Sequence, residues 1–432
     1  MKNRIIFVLI LILYIPVTIL AQEITQTIKG TVVDNETGTP LIGATVIIME
    51  SKPLLGSTTD IDGKFKIEKV PIGRYNIQVN YVGYESKIIS EVLVTSGKEV
   101  VINTELKQSI KQMNEVIIKG NSEKDKPLNT MASISARSFT VEETQRYAGG
   151  LDDPARLASS FAGVTMSSIN DNGIVIRGNS AKGVSWRLEG VDIPNPNHFA
   201  GADVAGGGIV TVFSSQMLAN SDFYTGAFPA EYGNAIAGIF DMKFRTGNSD
   251  KSEHTVQLGV LGLDLSSEGP FKKGKNATYL FNYRYSSFGL IKPLLPKNMG
   301  IPDYQDISFK FNFPNKHGGI SVWGIGSSDN YPKPQNNDST KWETANDRTD
   351  FNWHLNMGAT GVSYKLLLGK KTYLNTTLAG TGTLNHMDEK RFDDSLVSRQ
   401  NWLLTDNSSK IILNISVSFL FALVAFQLEC FA

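Results

Sequence analysis

Five histidines, one cysteine and 42 acidic residues are this chain's stock of metal-ligating and acid–base side chains. Their spacing suits neither a metal centre nor catalysis. His198, His254, His317, His354 and His386 form no His-x-x-x-His pair, and Cys430 has no second cysteine with which to share a metal or a disulfide. Asp60-Ile61-Asp62-Gly63 opens like a calcium loop, but the later ligands and the distal glutamate are missing, so it reads as a hairpin turn. No Gly-x-Ser-x-Gly elbow, phosphate loop or dinucleotide fingerprint occurs between a strand and a helix. The sequence therefore predicts no enzyme, no metal and no cofactor. Recognition chemistry is what remains. Glu115-Val116-Ile117-Ile118 is a β-prone strip inside the polar stretch Lys107–Lys126. On a flexible tether such a strip adds a strand to the edge of a partner's sheet, where main-chain hydrogen bonds supply affinity. The same four residues would equally serve as the last strand of a preceding sheet. Asn195, Asn197, His198 and Phe199 lie on a proline-flanked loop and offer donors, acceptors and an aromatic ring to a solute, or shape a turn.

The elements that must position these residues follow from composition and periodicity. The chain has 432 residues, 41% of them hydrophobic and 19% charged, which suits two or three domains with cores of their own. Its 42 basic and 42 acidic residues cancel, so no nucleic acid or other polyanion is implied as a partner. Residues 1–21 carry Lys2 and Arg4, then the apolar run Ile5–Ile15, and close at Ala21, the pattern of a secretory signal; a retained anchor helix is the alternative, because Ile19 stands where a small residue is preferred. Cys430 lies far from the cleavage region, which argues against a lipidated front end.

From Thr27 to Leu106 short β-prone runs alternate with turns such as Asp34–Gly38, Asp62-Gly63 and Pro71-Ile72-Gly73, predicting a small antiparallel sandwich. The expected strands are Ile28–Val33, Ala44–Met49, Ser57–Thr59, Lys64–Ile67, Arg74–Val82, Lys87–Val94 and Val100–Leu106. Beyond Pro127 the composition shifts to Gly, Ala, Ser and Asn, with a capping box at Thr140 and Glu143 and a second short helix over Asp152–Phe161. After Gly238 the period becomes two, as in Tyr279, Phe281, Tyr283 and Tyr285 against Leu280, Asn282 and Arg284. Alternation with aromatic belts is what a transmembrane barrel requires, although a soluble sandwich alternates too. Further strands are expected over Asp306–Phe313, Gly319–Ser327, Met357–Leu368, Lys371–Thr383 and Lys410–Ser418, with a loop over Ser327–Asn346.

Three stretches carry a family resemblance. GTVVDNETGTPLIGATVIIME and TTDIDGKFKIEKVPIGRYNIQVNYVGYE resemble the carboxypeptidase-regulatory-like domain. MNEVIIKG at 113–120 is similar to a TonB box. IRGNSAKGVSWRLEGVDIPNPNHF at 176–199 and the stretch 207–247 resemble the plug of TonB-dependent outer-membrane receptors, with Glu189 standing where the family commonly has Asp. The resemblance implies a mainly β chain: signal peptide 1–21, β-sandwich 27–107, linker with the TonB-box-like strip 108–126, α+β plug 127–247, the start of an incomplete antiparallel transmembrane β-barrel 248–418, and an atypical apolar tail 419–432. It implies energised uptake of an unidentified solute across the outer membrane. TonB with its inner-membrane energising complex, outer-membrane lipid and the solute are the implied partners, and a surface lipoprotein is left open. Glu115, Val116, Ile117 and Ile118 would pair with TonB in the periplasm; Arg177 and Glu189 would brace the plug against each other or against charged wall residues; Asn195, Asn197, His198 and Phe199 would face the solute.

Two alternatives stand beside this reading. One is a secreted or surface β-rich binding module without transport. The other is a signalling receptor, against which the all-β front domain argues. A plugged barrel has about 22 strands of about 9–11 residues, or on the order of 400 residues, and the chain left after Gly247 is less than half of that. A premature end is therefore expected near Ser418, where FLFALVAF abandons the period of two; a transmembrane helix over Ile411–Leu428 is the competing reading.

Overall fold

A computed structural model of the chain describes residues 24–35, 38–49, 51–108, 135–147, 149–201, 205–259, 262–287, 301–335, 338, 340, 342, 349–367, 372–391, 396–403, 411–417 and 426–430. The signal expected over 1–21 and the strip Glu115–Ile118 lie outside these residues.

Alternation of β-branched residues with polar ones builds the first unit. Its strands are β1 (Thr25–Asp34), β2 (Thr45–Ile48), β3 (Leu55–Thr58), β4 (Lys64–Pro71), β5 (Gly73–Asn80), β6 (Lys87–Val94) and β7 (Val100–Leu106). A sheet ordered β4-β1-β7 faces a sheet ordered β3-β2-β5-β6. Ile28, Val32, Val46, Ile48, Ile67, Ile77, Val79, Val94 and Leu106 are buried together between them. The sandwich is antiparallel except at β1 and β7, which pair in parallel from Ile28–Val100 to Asp34–Leu106. Gly30 makes that approach possible, since a Cβ there would lie 1.6 Å from the Ile102 carbonyl oxygen.

The second unit is mixed. It holds β8 (Ala136–Phe139), α1 (Val141–Arg146), α2 (Pro154–Ala158), β9 (Val164–Met166), β10 (Ile174–Ile176), β11 (Val184–Leu188), β12 (Val191–Ile193), β13 (Asn197–His198), β14 (Val210–Thr211), β15 (Ser221–Tyr224) and β16 (Gly238–Met242). At α1 the Thr140 hydroxyl accepts from the Glu143 amide at 3.1 Å and the Glu143 carboxylate accepts from the Thr140 amide at 3.0 Å, which is the capping box its sequence predicts. Helix α2 is shorter than expected, with Asp153 as its cap and Pro154 at its first position. The sheet β12-β11-β16-β15-β8 carries the core, where the Trp186 ring stacks on Phe240 at 4.2 Å.

Ten strands form the third unit: β17 (Glu253–Gly259), β18 (Gly262–Pro270), β19 (Thr278–Ser286), β20 (Asp303–Asn315), β21 (Gly318–Lys333), β22 (Thr349–Leu367), β23 (Thr372–Arg391), β24 (Leu396–Leu403), β25 (Ile411–Val417) and β26 (Phe426–Cys430). Each of β17 to β23 is antiparallel to the next; β24 and β25 both pair with β23, and β26 with β25. The result is a large antiparallel sheet resembling part of a barrel. Strand β21 runs on to Lys333, into residues read as loop from the sequence, and β22 starts at Thr349, ahead of the expected Met357. Residues 418–425, which hold most of the apolar run, lie outside the described residues; strands at 411–417 and 426–430 stand where a helix over Ile411–Leu428 was considered. Among the described residues no helix is long and apolar enough to cross a membrane, which leaves crossing by strands untouched.

On β19 and β20 exposure is inverted relative to a water-soluble sheet, whereas β21 and β22 turn the apolar Trp323, Ile325, Leu355, Met357 and Ala359 inward. On β19 the buried positions are Thr278, Leu280, Asn282, Arg284 and Ser286, and the outward ones are Tyr279, Phe281, Tyr283 and Tyr285. On β20 Asp306 and Ser308 are 2% and 0% exposed, whereas Ile307 between them is 41% exposed. A polar inner face and an apolar outer face suit a wall with hydrocarbon outside and the second unit inside. Phe271, Tyr279, Phe309, Phe311 and Phe313 gather into one aromatic cluster at the short-turn end of the wall, with Phe271 stacked on Phe313 at 5.4 Å.

Candidate functional site

The residues singled out on the second unit meet the wall through the short strand β13. Two prolines, Pro194 and Pro196, set up its extended entry, and β14 pairs with it from Asn197–Thr211 to His198–Val210. Asn172 fixes the loop from below: its amide group donates to Asp153 at 2.6 Å and to Asn197 Oδ1 at 2.8 Å, and Asp153 also caps α2. Asn197 donates to Asn195 Oδ1 at 2.6 Å, and Asn195 donates to the Gly207 carbonyl at 2.9 Å. Gly207 has to be glycine, because a Cβ there would lie 1.7 Å from Asp171 Oδ1.

His198 then crosses to the wall. Its Nδ1 lies 2.5 Å from Asp329 Oδ1 and its Nε2 lies 2.9 Å from Asp306 Oδ2. Asp329 also accepts from the Phe199 amide at 2.7 Å. Arg284 donates through Nε to both Asp306 oxygens at 3.0 Å and through Nη2 to the Thr211 carbonyl at 2.7 Å. His198, Asp306, Asp329 and Arg284 are all buried. Two carboxylates and one guanidinium leave one negative charge over, and an imidazolium balances it while donating from both nitrogens. Burial pushes the His198 pKa down, but hydrogen bonds and charge from Asp306 and Asp329 outweigh it and hold the group above its ordinary value. The imidazole ring lies 4.1 Å from that of Tyr304, and Phe199 packs among Tyr304, Tyr331 and Trp353.

Glu189 makes a second crossing. It lies 2.7 Å from Lys310 of β20, and the Lys310 ammonium also donates to the Phe244 carbonyl at 2.9 Å while the Phe244 amide donates back to Glu189 at 2.8 Å. Arg177 does not meet Glu189 or the wall: it donates to Ser135 Oγ and Thr225 Oγ1 within its own unit. Arg177, Glu189 and Phe199 share left-handed backbone, with φ of 50°, 53° and 54°. Such conformations cost non-glycine residues about 1 kcal/mol or more and persist where surrounding contacts over-determine them. Asn197, His198 and Phe199 are buried between their own unit and the wall, so the structure turns inward side chains that the sequence reading had facing a solute; Asn195 is half-buried. Sequence reasoning missed Asp306, Asp329 and Lys310. The signal for Asp306 and Lys310 was the alternation of Asp306, Ser308 and Lys310 with Ile307 and Phe309; Asp329, among Ser327, Ser328 and Asn330, had none. Among the described residues no cluster of three or more His, Cys, Asp or Glu side chains could hold a metal ion.

Residues 28–118 match the CarboxypepD_reg-like domain, a range that takes in the strip Glu115–Ile118. The chain is 22% identical over 231 residues to the TonB-dependent transporter Oar of Myxococcus xanthus, an alignment covering 52% of this chain and 21% of that protein. It thus spans about a fifth of the length of that relative. Among solved structures, the outer membrane transporter YddB of Escherichia coli is 14% identical, with 59% of this chain and 39% of that chain covered and a TM-score of 0.42. A mutant of the ferric enterobactin receptor of Pseudomonas aeruginosa is 12% identical, covering 66% and 49%, with a TM-score of 0.42. The chain is accordingly a mainly β protein with an N-terminal carboxypeptidase-regulatory-like domain. Over about half of its length it is similar to a TonB-dependent transporter.

Proposed function

We propose that this chain is the plug-bearing part of a TonB-dependent outer-membrane receptor that takes up a solute in an energised step. The observation that carries the reading is the inside-out wall clamped to the second unit by His198 and Glu189. Residues 127–247 then form the plug, 248–418 belong to the wall, whose strands β19 and β20 turn polar side chains to the lumen and mostly aromatic ones to lipid, and the sandwich of 27–107 stands in the periplasm. Glu115, Val116, Ile117 and Ile118, between sandwich and plug, add a strand to TonB, and tension there is passed to the plug. Buried ion pairs suit a plug that must rest and then move, since they fix one resting register and displacing one partner strands the other charge. The site binds and moves.

TonB binding tests the reading. Full-length chain in outer-membrane vesicles is exposed to the purified periplasmic domain of TonB, and Val116→Pro with Ile118→Pro removes the strip's capacity to pair. Capture by the unaltered chain and its loss in the variant is the expected result. Equal capture by both shows that the strip belongs to the sandwich, as the family match reaching Ile118 would allow. Recovery of the chain in the soluble fraction without detergent would support the binding-module alternative instead.

A further inference from the structure

The sandwich does not hang free of the other units. Lys29, on β1, has a side chain only 7% exposed, yet it points out of the sandwich core. Its ammonium meets Glu99 at 2.8 Å, Asp250 at 2.6 Å and the Asn248 amide oxygen at 2.5 Å, the last two on the segment between plug and wall. Asn248 donates to Glu99 at 3.0 Å, Lys251 meets Glu99 at 2.9 Å, and the Glu99 amide donates to Glu253 at 3.1 Å. Next to this lies Glu268 of β18, whose side chain is fully buried. It receives Arg245 in a two-pronged contact at 2.6 and 2.8 Å, the Asn248 amide at 3.0 Å, and Lys98 of the sandwich. Glu268 is thus one carboxylate shared by all three units. Asn103 to Thr246 at 2.6 Å and Lys64 to Asn276 at 2.8 Å extend the contact along the short-turn rim.

We propose that this cluster is a clasp: the sandwich is docked on the rim of the wall and holds the end of the plug, Phe244–Asn248, in its resting place. The chain between sandwich and plug carries the TonB-box-like strip, so a pull there acts on the sandwich as well as on the plug, and the clasp has to open before the plug's last strand can leave the wall. The assignment of pull and direction rests on the function proposed above; the docking itself does not. Because Lys29 and Glu268 are buried, moderate salt screens the clasp only in part, and loss of one charged partner is the effective way to open it.

The test uses the full chain in outer-membrane vesicles with Cys430→Ser, Asn103→Cys and Thr246→Cys, joined by a short thiol–thiol cross-linker. Efficient cross-linking is expected in this parent. Adding Lys29→Met, which leaves the sandwich core intact, is expected to lower the yield by about tenfold, since Glu99 and Asp250 lose the buried cation that joins them. Glu268→Gln is expected to lower it too, and Lys98→Ala serves if that variant does not assemble. Absence of cross-linking in the parent overturns docking, and equal yield in Lys29→Met and the parent overturns the ionic clasp. Either result leaves the receptor reading standing, because that reading falls only if the chain neither partitions into membrane nor captures TonB.

Discussion

His198, on the second unit, has its ring enclosed by two wall carboxylates, and on the function proposed above its charge state sets how firmly plug and wall hold each other. A histidine whose folded pKa is raised contributes stability that is fully present below its unfolded value of about 6.5 and is lost as pH rises through the folded one. We therefore expect the plug–wall contact to be firm below about pH 6.5 and to weaken as the pH rises through the raised value. Hydrogen exchange at the Phe199 amide, which donates to Asp329, reports it: the protection factor is expected to fall with rising pH in the unaltered chain and to stay low and flat in His198→Gln. At Glu189 the expectation is different. Lys310→Met leaves a largely buried carboxylate without its cation and should cost up to about 3–5 kcal/mol, tempered by the Phe244 amide that still donates to it. The double variant Lys310→Met with Glu189→Gln should recover much of that loss in thermal unfolding in detergent.

At the scale of elements, the period of each segment is what made the fold readable. The expected strands Lys87–Val94 and Val100–Leu106 appear with those bounds, and the capping box at Thr140 and Glu143 starts α1. Local signals sufficed because turn residues and alternation act within a few positions. The parallel pairing of β1 with β7 was not legible, since it depends on how two sheets close on each other. Nor were the long arms of β21 and β22, where Asn, Asp and Ser continue the ladder past the apolar zone. Strand β19 offers a direct prediction. Phe281→Arg places a charge on the outward face and should destabilise the inserted chain by about 2–4 kcal/mol if that position lies near the bilayer midplane. The same change at Tyr279, in the aromatic cluster by the short-turn end, should cost about 0–1 kcal/mol. Urea or heat titration in lipid vesicles ranks the two. Asp153→Ala removes the cap of α2 and the partner of Asn172, and should cost about 0.5–2 kcal/mol through the cap alone.

Across the whole molecule, three units of different construction meet at charges the sequence presents only as scattered residues. His198 and its two aspartates are separated by more than a hundred positions, and Lys29 and Asp250 by more than two hundred. Sequence patterns marked the plug loop and Glu189 but could not pair them, because pairing across such distances is set by how the wall wraps the plug. All of it depends on the wall being inside out at β19 and β20, with polar residues toward the plug and apolar, mostly aromatic ones toward lipid. The most direct test places single cysteines at positions 279 to 285 in a Cys430→Ser background, attaches spin labels in membranes, and compares accessibility to a lipid-soluble and a water-soluble relaxing agent. Lipid access is predicted at 279, 281, 283 and 285, with 280, 282 and 284 shielded from it. Access of the water-soluble agent to the odd positions, with no lipid contact at any, would contradict an inside-out wall.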